Sequence, residues 1–88
     1  MSEQKKEYYK DDFVFKPSTR LNKKYDAYLQ GVKIASFGDR RYQQYKDKIG
    51  HYKHLDHKDK QRKKRYYDRH GEKAQPFSAR WFSSTYLW

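Results

Sequence analysis

The chain has 88 residues, with 22 Lys+Arg against 11 Asp+Glu, a formal charge of +11 and a pI near 9.8. Its length allows one small domain, and the absence of cysteine excludes a disulfide framework, a thiolate nucleophile and a cysteine-ligated zinc site. The longest uncharged stretch, residues 81–88, is far below the roughly 20 apolar residues of a membrane span. The opening MSEQKKEYYKDD has no apolar signal run, so an intracellular protein with no membrane insertion is expected.

Four Leu, two Ile, two Val and five Phe are few for a globular chain, and a charged chain this poor in them tends towards disorder. Ten Tyr, the five Phe and two Trp act the other way. Each ring can bury about 150–250 Å², so a thin core of rings can replace one of aliphatics. The charge is graded along the chain, at +1 over residues 1–20, +4 over 21–50 and +6 over 51–88.

Residues 1–22 mix charges with Tyr8, Tyr9, Phe13, Val14 and Phe15 and are broken by Pro17, which reads as an extended N-terminal arm. Within it Phe13-Val14-Phe15 either adds a short edge strand or stays disordered with the rest. Residues 24–37 read as a β-hairpin: β-prone residues flank Gln30-Gly31, and Gly31 accepts the positive φ of a tight turn. Asp39 is placed to cap a helix over 40–49 that stops at Gly50, with Tyr42, Tyr45 and Ile49 on one stripe. After a His-rich connection, Asp56 or Asp59 caps a second, almost wholly polar helix over 58–70, closed by Gly71. Pro76 opens a third helix over 77–87, with Phe77, Trp81 and Trp88 on one stripe and Phe82 and Tyr86 beside it. The predicted architecture is a small single α+β domain over 23–88, a β-hairpin followed by two or three short helices, with the arm at 1–22.

The densest cationic run is Lys58, Lys60, Arg62, Lys63, Lys64 and Arg65, extended by Arg69. Spread round a helix, such a run suits neutralising phosphates or an acidic protein surface and does not suit reading base edges. Phe77, Trp81, Phe82, Tyr86 and Trp88 form the most concentrated apolar surface, a candidate anchor either tucked against the hairpin or inserted into a protein neighbour. Tyr45, Tyr52, Tyr66 and Tyr67 lie near the bases and can stack on nucleobases, but a chain so poor in aliphatics needs its rings for the core. His51, His54 and His57 invite a metal reading; residues three and six apart drift round a helix, so the three meet only if the chain bends there. No glycine loop for phosphates, His-Glu-x-x-His helix or nucleophile elbow occurs, so a non-enzymatic protein with no cofactor and no small-molecule substrate is expected.

Lys24-Tyr25-Asp26-Ala27-Tyr28, Ile34-Ala35-Ser36-Phe37-Gly38, the run from His57 through Arg69-His70, and the closing Leu87-Trp88 together resemble a family of small basic proteins encoded by large DNA viruses of eukaryotes and by some tailed phages. The resemblance covers most of residues 24–88 and implies a viral, non-enzymatic protein found in the virion and the infected-cell interior. It carries no functional residue. Joined to the thin core and the aromatic tail, it leads to the expectation of a virion-associated structural protein, a minor capsid or cement component bound to larger capsid proteins. The alternative is a sequence-nonspecific nucleic-acid-binding protein that packages or accompanies viral DNA through its phosphates.

Overall fold

The structure is a computed structural model that describes residues 6–88. Strands β1 (Tyr8–Lys10), β2 (Phe13–Pro17), β3 (Tyr25–Leu29) and β4 (Val32–Phe37) form one antiparallel sheet in the order β1-β2-β3-β4. A single 3₁₀ turn at Lys53–Leu55 and two helices, α1 (Lys60–His70) and α2 (Ala79–Tyr86), complete the α+β domain. Among the described residues no helix is long and apolar enough to cross a membrane.

Alternation along the strands decides which side of the sheet is covered. Phe13, Phe15, Tyr25, Ala27 and Phe37 point to one face and are buried there beneath Phe82, Tyr86 and Leu87 from α2 and its end. Rings meet edge to face, with Phe15 against Tyr86 at 4.9 Å and Phe13 against Phe82 at 5.0 Å between centroids. The expected hairpin is present: β3 and β4 pair across Gln30-Gly31, whose φ values of 49° and 82° supply the two left-handed positions of a type I′ turn.

The arm is not an arm over its described part. Residues 8–17 form a second hairpin that pairs with β3, placing Phe13-Val14-Phe15 inside the sheet and not at its edge; residues 1–5 lie outside the described residues. Asp11 turns this hairpin at φ 55°, a conformation aspartate tolerates, and its carboxylate accepts a hydrogen bond from the Tyr86 hydroxyl at 2.7 Å.

The helix expected over 40–49 does not form. Asp39 caps only a turn, accepting from the Arg41 N–H, while the next donors go to distant carbonyls: Gln44 N–H to Leu55, Lys46 N–H to Leu87 and Lys48 N–H to Tyr86. A segment with so little apolar surface gains more by stitching the end of α2 to residues 52–57 than by closing its own helical bonds. The other helices start later than expected. Asp59 is the cap of α1, accepting from Gln61 and Arg62 N–H groups, so Lys58 stays outside at φ 56°. Ser78 caps α2 through the Trp81 N–H, leaving Pro76 and Phe77 before it.

Phe15 is fully buried among rings from β3, β4 and α2. Phe15→Ala is expected to cost about 3–5 kcal/mol, a large share of the stability of so small a domain. Urea unfolding followed by circular dichroism measures this loss.

Candidate polyanion-binding groove

Helix α1 is tied to the C-terminal end of α2 by two tyrosines. The Tyr66 hydroxyl meets Ser84 Oγ at 3.0 Å, and the Tyr67 hydroxyl donates to the Ser84 carbonyl at 2.9 Å. The Tyr66 ring lies parallel to the Trp88 indole, 4.6 Å between centroids and 4° between planes, with His57 on Trp88 at 5.2 Å. This docking leaves a groove of about 1130 Å³ between α1, the first turn of α2 and the segment that follows β4. Gly38 sits at its base with φ 76°, where a Cβ would meet Lys24 side-chain carbons at 3.0 Å and Leu87 Cδ1 at 3.1 Å.

The basic run divides between two sides. Arg62, Arg65 and Arg69, at i, i+3 and i+7, line the groove. Lys58 and Lys60 do not; Lys63 reaches over the Tyr45 ring at 4.6 Å, and Lys64 pairs with Asp68 at 2.9 Å. Three further cations reach the groove from remote sequence, Arg80 on α2 and the adjacent Lys23 and Lys24 just before β3, and they lie far along the chain from the dense basic run. Among the described residues the ion pairs are Lys16–Glu7, Arg41–Asp39 and Lys64–Asp68; Asp39 and Asp68 line the groove but pair with Arg41 and Lys64, and Arg62, Arg65, Arg69 and Arg80 take part in none of these pairs. Arg62 donates to the Gln43 amide oxygen at 2.9 Å.

The aromatic tail is tucked against the sheet. Phe82 and Tyr86 are buried core residues, which leaves them no surface for a partner. Trp88 is committed to Tyr66, Trp81 is half-buried, and Phe77 is exposed while packing edge-on against Trp81 at 5.3 Å. Of the tyrosines near the bases, Tyr66 is buried, Tyr67 is used by Ser84, and Tyr52 packs on Tyr25. The three histidines separate: His51 Nδ1 shares a hydrogen bond with the Tyr8 hydroxyl, His57 Nδ1 accepts from the Asp59 N–H, and His54 is exposed. Among the described residues no three His, Asp or Glu side chains converge as metal ligands. Partial burial lowers the pKa of both His51 and His57, and nearby Arg62 lowers His57 further.

One wall of the groove rests on a buried polar network. Lys24 is 2% exposed; its ammonium donates to the Tyr42 carbonyl at 2.9 Å and to Gln44 Oε1. The Gln44 amide donates in turn to the Tyr52 carbonyl and to Asp56 Oδ1. Asp47, fully buried, accepts from the Tyr25 hydroxyl and from the N–H groups of Ile49, Gly50 and Tyr52. Burial drives the Lys24 amine down to about 8, against the pull of Asp47, Asp39 and Asp56. Asp39, at the rim, is held down to about 2 by its hydrogen bonds with Arg41. The groove therefore presents fixed positive charge beside a salt-bridged carboxylate.

The fold and groove define a small basic α+β domain with a cationic trough between its helices. The chain belongs to DUF5754, a family of unknown function, which it matches over residues 13–70, from the start of β2 to the end of α1. No curated protein and no solved structure matches it.

The Lys24 shift has a pH signature. Between about 8 and the ordinary 10.5, the unfolded chain keeps a proton that folded Lys24 has released, so stability rises with pH across that window. Tyr25 and Tyr86 are pushed up, first by burial and then by Asp47 and Asp11 respectively, so above 10 the unfolded chain loses protons first and stability falls. Melting temperatures from pH 7 to 11 should climb and then drop. Lys24→Met should flatten the climb relative to wild type, the difference between the two curves cancelling the general relief of charge repulsion near the pI.

Proposed function

We propose that the protein is a non-enzymatic nucleic-acid-binding protein that grips the phosphate backbone without reading sequence. The observation that carries this reading is the set of four arginines, Arg62, Arg65, Arg69 and Arg80, gathered from two helices around one groove whose lining carboxylates, Asp39 and Asp68, are already paired with Arg41 and Lys64. Guanidinium forks match phosphate oxygens bidentately and stay charged at any physiological pH, whereas lysines act as mobile point charges. The lysines Lys60, Lys63 and Lys64, outside the groove, extend the positive field that draws a polyanion in. The resemblance to basic proteins of large DNA viruses and tailed phages supports placing that polymer in an infected cell.

A second reading keeps the protein as a minor capsid or cement component whose groove meets an acidic surface of a larger virion protein. Phe77, 46% exposed at the foot of α2, favours it as a residual apolar contact. Burial of Phe82 and Tyr86 takes away most of the free aromatic anchor on which that reading drew. The two readings separate by the polyanion preferred: nucleic acid bound more tightly than heparin supports the first, and equal affinity for any polyanion supports the second.

Binding should weaken steeply with salt. Each groove arginine that meets a phosphate adds about 0.7–0.9 to the slope of log K against log salt, so Arg62→Ala/Arg65→Ala/Arg69→Ala should make it shallower by roughly 2–3. Anisotropy titrations with labelled oligonucleotides between 50 and 300 mM salt test this, and an unchanged slope in the triple variant would remove the groove from the binding surface.

A further inference from the structure

We infer that the groove takes a single strand of nucleic acid, with phosphates on Arg62, Arg65, Arg69 and Arg80 and a base stacked on the exposed ring of Tyr42; this rests on the nucleic-acid reading above. Three observations favour a single strand over a duplex. The first is the shape of the surface on which the arginines sit. A duplex is gripped by a convex element, as when a helix enters a major groove about 12 Å wide. Arg62, Arg65 and Arg69 of α1 instead line a trough with Arg80 of α2, a concave surface.

The second is size. At about 1130 Å³ the groove exceeds the ~300–1,000 Å³ that holds one drug-sized ligand, which gives room for a few unpaired nucleotides. The third is Tyr42. It lines the groove, is 64% exposed, and packs on no other described ring, its one such contact being the Arg41 guanidinium at 5.6 Å from the ring centroid. Its backbone is nevertheless fixed, because the buried Lys24 ammonium donates to the Tyr42 carbonyl. A ring held in place by its main chain and left unused by the core is a platform for a base, and sequence-tolerant stacking beside a cationic track is how single strands are bound.

The test uses the full chain and labelled strands of about 12 nucleotides, within the range of known single-strand sites. An oligo(dT), an oligo(U), a mixed-sequence strand and a duplex of the same length are titrated at 150 mM salt, with heparin as competitor. Single strands should bind at least tenfold more tightly than the duplex. Tyr42→Ala should weaken single-strand binding roughly 5- to 10-fold, the lower range for loss of one base–ring stack, while leaving duplex binding and the melting temperature unchanged. In a Trp81→Phe background the emission of Trp88, the one remaining tryptophan and a groove residue, should change on single-strand binding. The preference between oligo(dT) and oligo(U) assigns the strand as DNA or RNA. Duplex bound as tightly as single strands, or Tyr42→Ala without effect, overturns the single-strand site and leaves the backbone reading standing. Failure of every nucleic acid to outcompete heparin overturns both.

Discussion

Phe15 touches Tyr25, Phe37, Phe82 and Tyr86, from β3, β4 and α2, and each contact is edge to face with centroids 4.9–6.3 Å apart. With so few branched aliphatics, nothing else in the chain can fill the space over the sheet, so β2 and α2, far apart in sequence, depend on each other through these rings. Rings impose orientation as well as burial, because the positive edge of one must meet the negative face of the next. That requirement fixes how α2 lies on the sheet, and through Ser84 and Trp88 it fixes where α1 can dock. The position of the groove is thus a consequence of how the core is packed.

The segment between β4 and α1 is positioned differently, by polar groups. Lys24, Gln44 and Asp47 are all buried, and each is hydrogen-bonded within the network or to main-chain groups of residues 42–52. Removing one member leaves the others buried without partners, which costs more than the bond itself contributes. A loop fixed in this way has the rigidity of a helix without its regularity, and so it can carry Tyr42 outward on one side while presenting Gln44 and Asp47 inward on the other.

What was legible in the sequence follows the range of the interactions that decide each element. The 24–37 hairpin could be read because its turn and its alternation are both local, and Gly31 announces the positive φ. The caps at Asp59 and Gly71 are local too, and α1 was placed to within two residues. Residues 8–17 read as an arm because their pattern gains meaning only against rings some 70 positions later, as in the contact of Tyr86 with Asp11. The helix over 40–49 had correct signals at both ends and failed because Leu55, Tyr86 and Leu87 offered its N–H groups better partners. The cationic run was visible, but a one-dimensional run cannot show that its arginines fall on the groove side and its lysines elsewhere, nor that Lys23 and Arg80 join them. Of the aromatic tail, the sequence showed the apolar surface and left open whether the sheet or a neighbour covers it; Phe82, Tyr86 and Leu87 lie under the sheet.

Gathering guanidinium groups around one groove has a thermodynamic consequence for the domain itself. Like charges held close repel, and in a chain of net charge +11 little else on the surface offsets them. The free protein therefore carries an electrostatic cost that its small aromatic core must outweigh, and an anion seated among the arginines removes that cost at the place where it arises. Ligand binding to the folded state alone raises stability by RT ln(1 + [L]/Kd), so on the nucleic-acid reading the groove would tie the stability of the fold to occupancy. On the nucleic-acid reading proposed above, Arg62 would lose little conformational freedom to a phosphate, because it is already bonded to Gln43 and α1 is already pinned by Tyr66 and Tyr67. A core barely large enough to hold the sheet and a groove too positive to be comfortable empty are thus two sides of one arrangement, in which preorganisation is maintained by the rings and the polar network against the repulsion it creates.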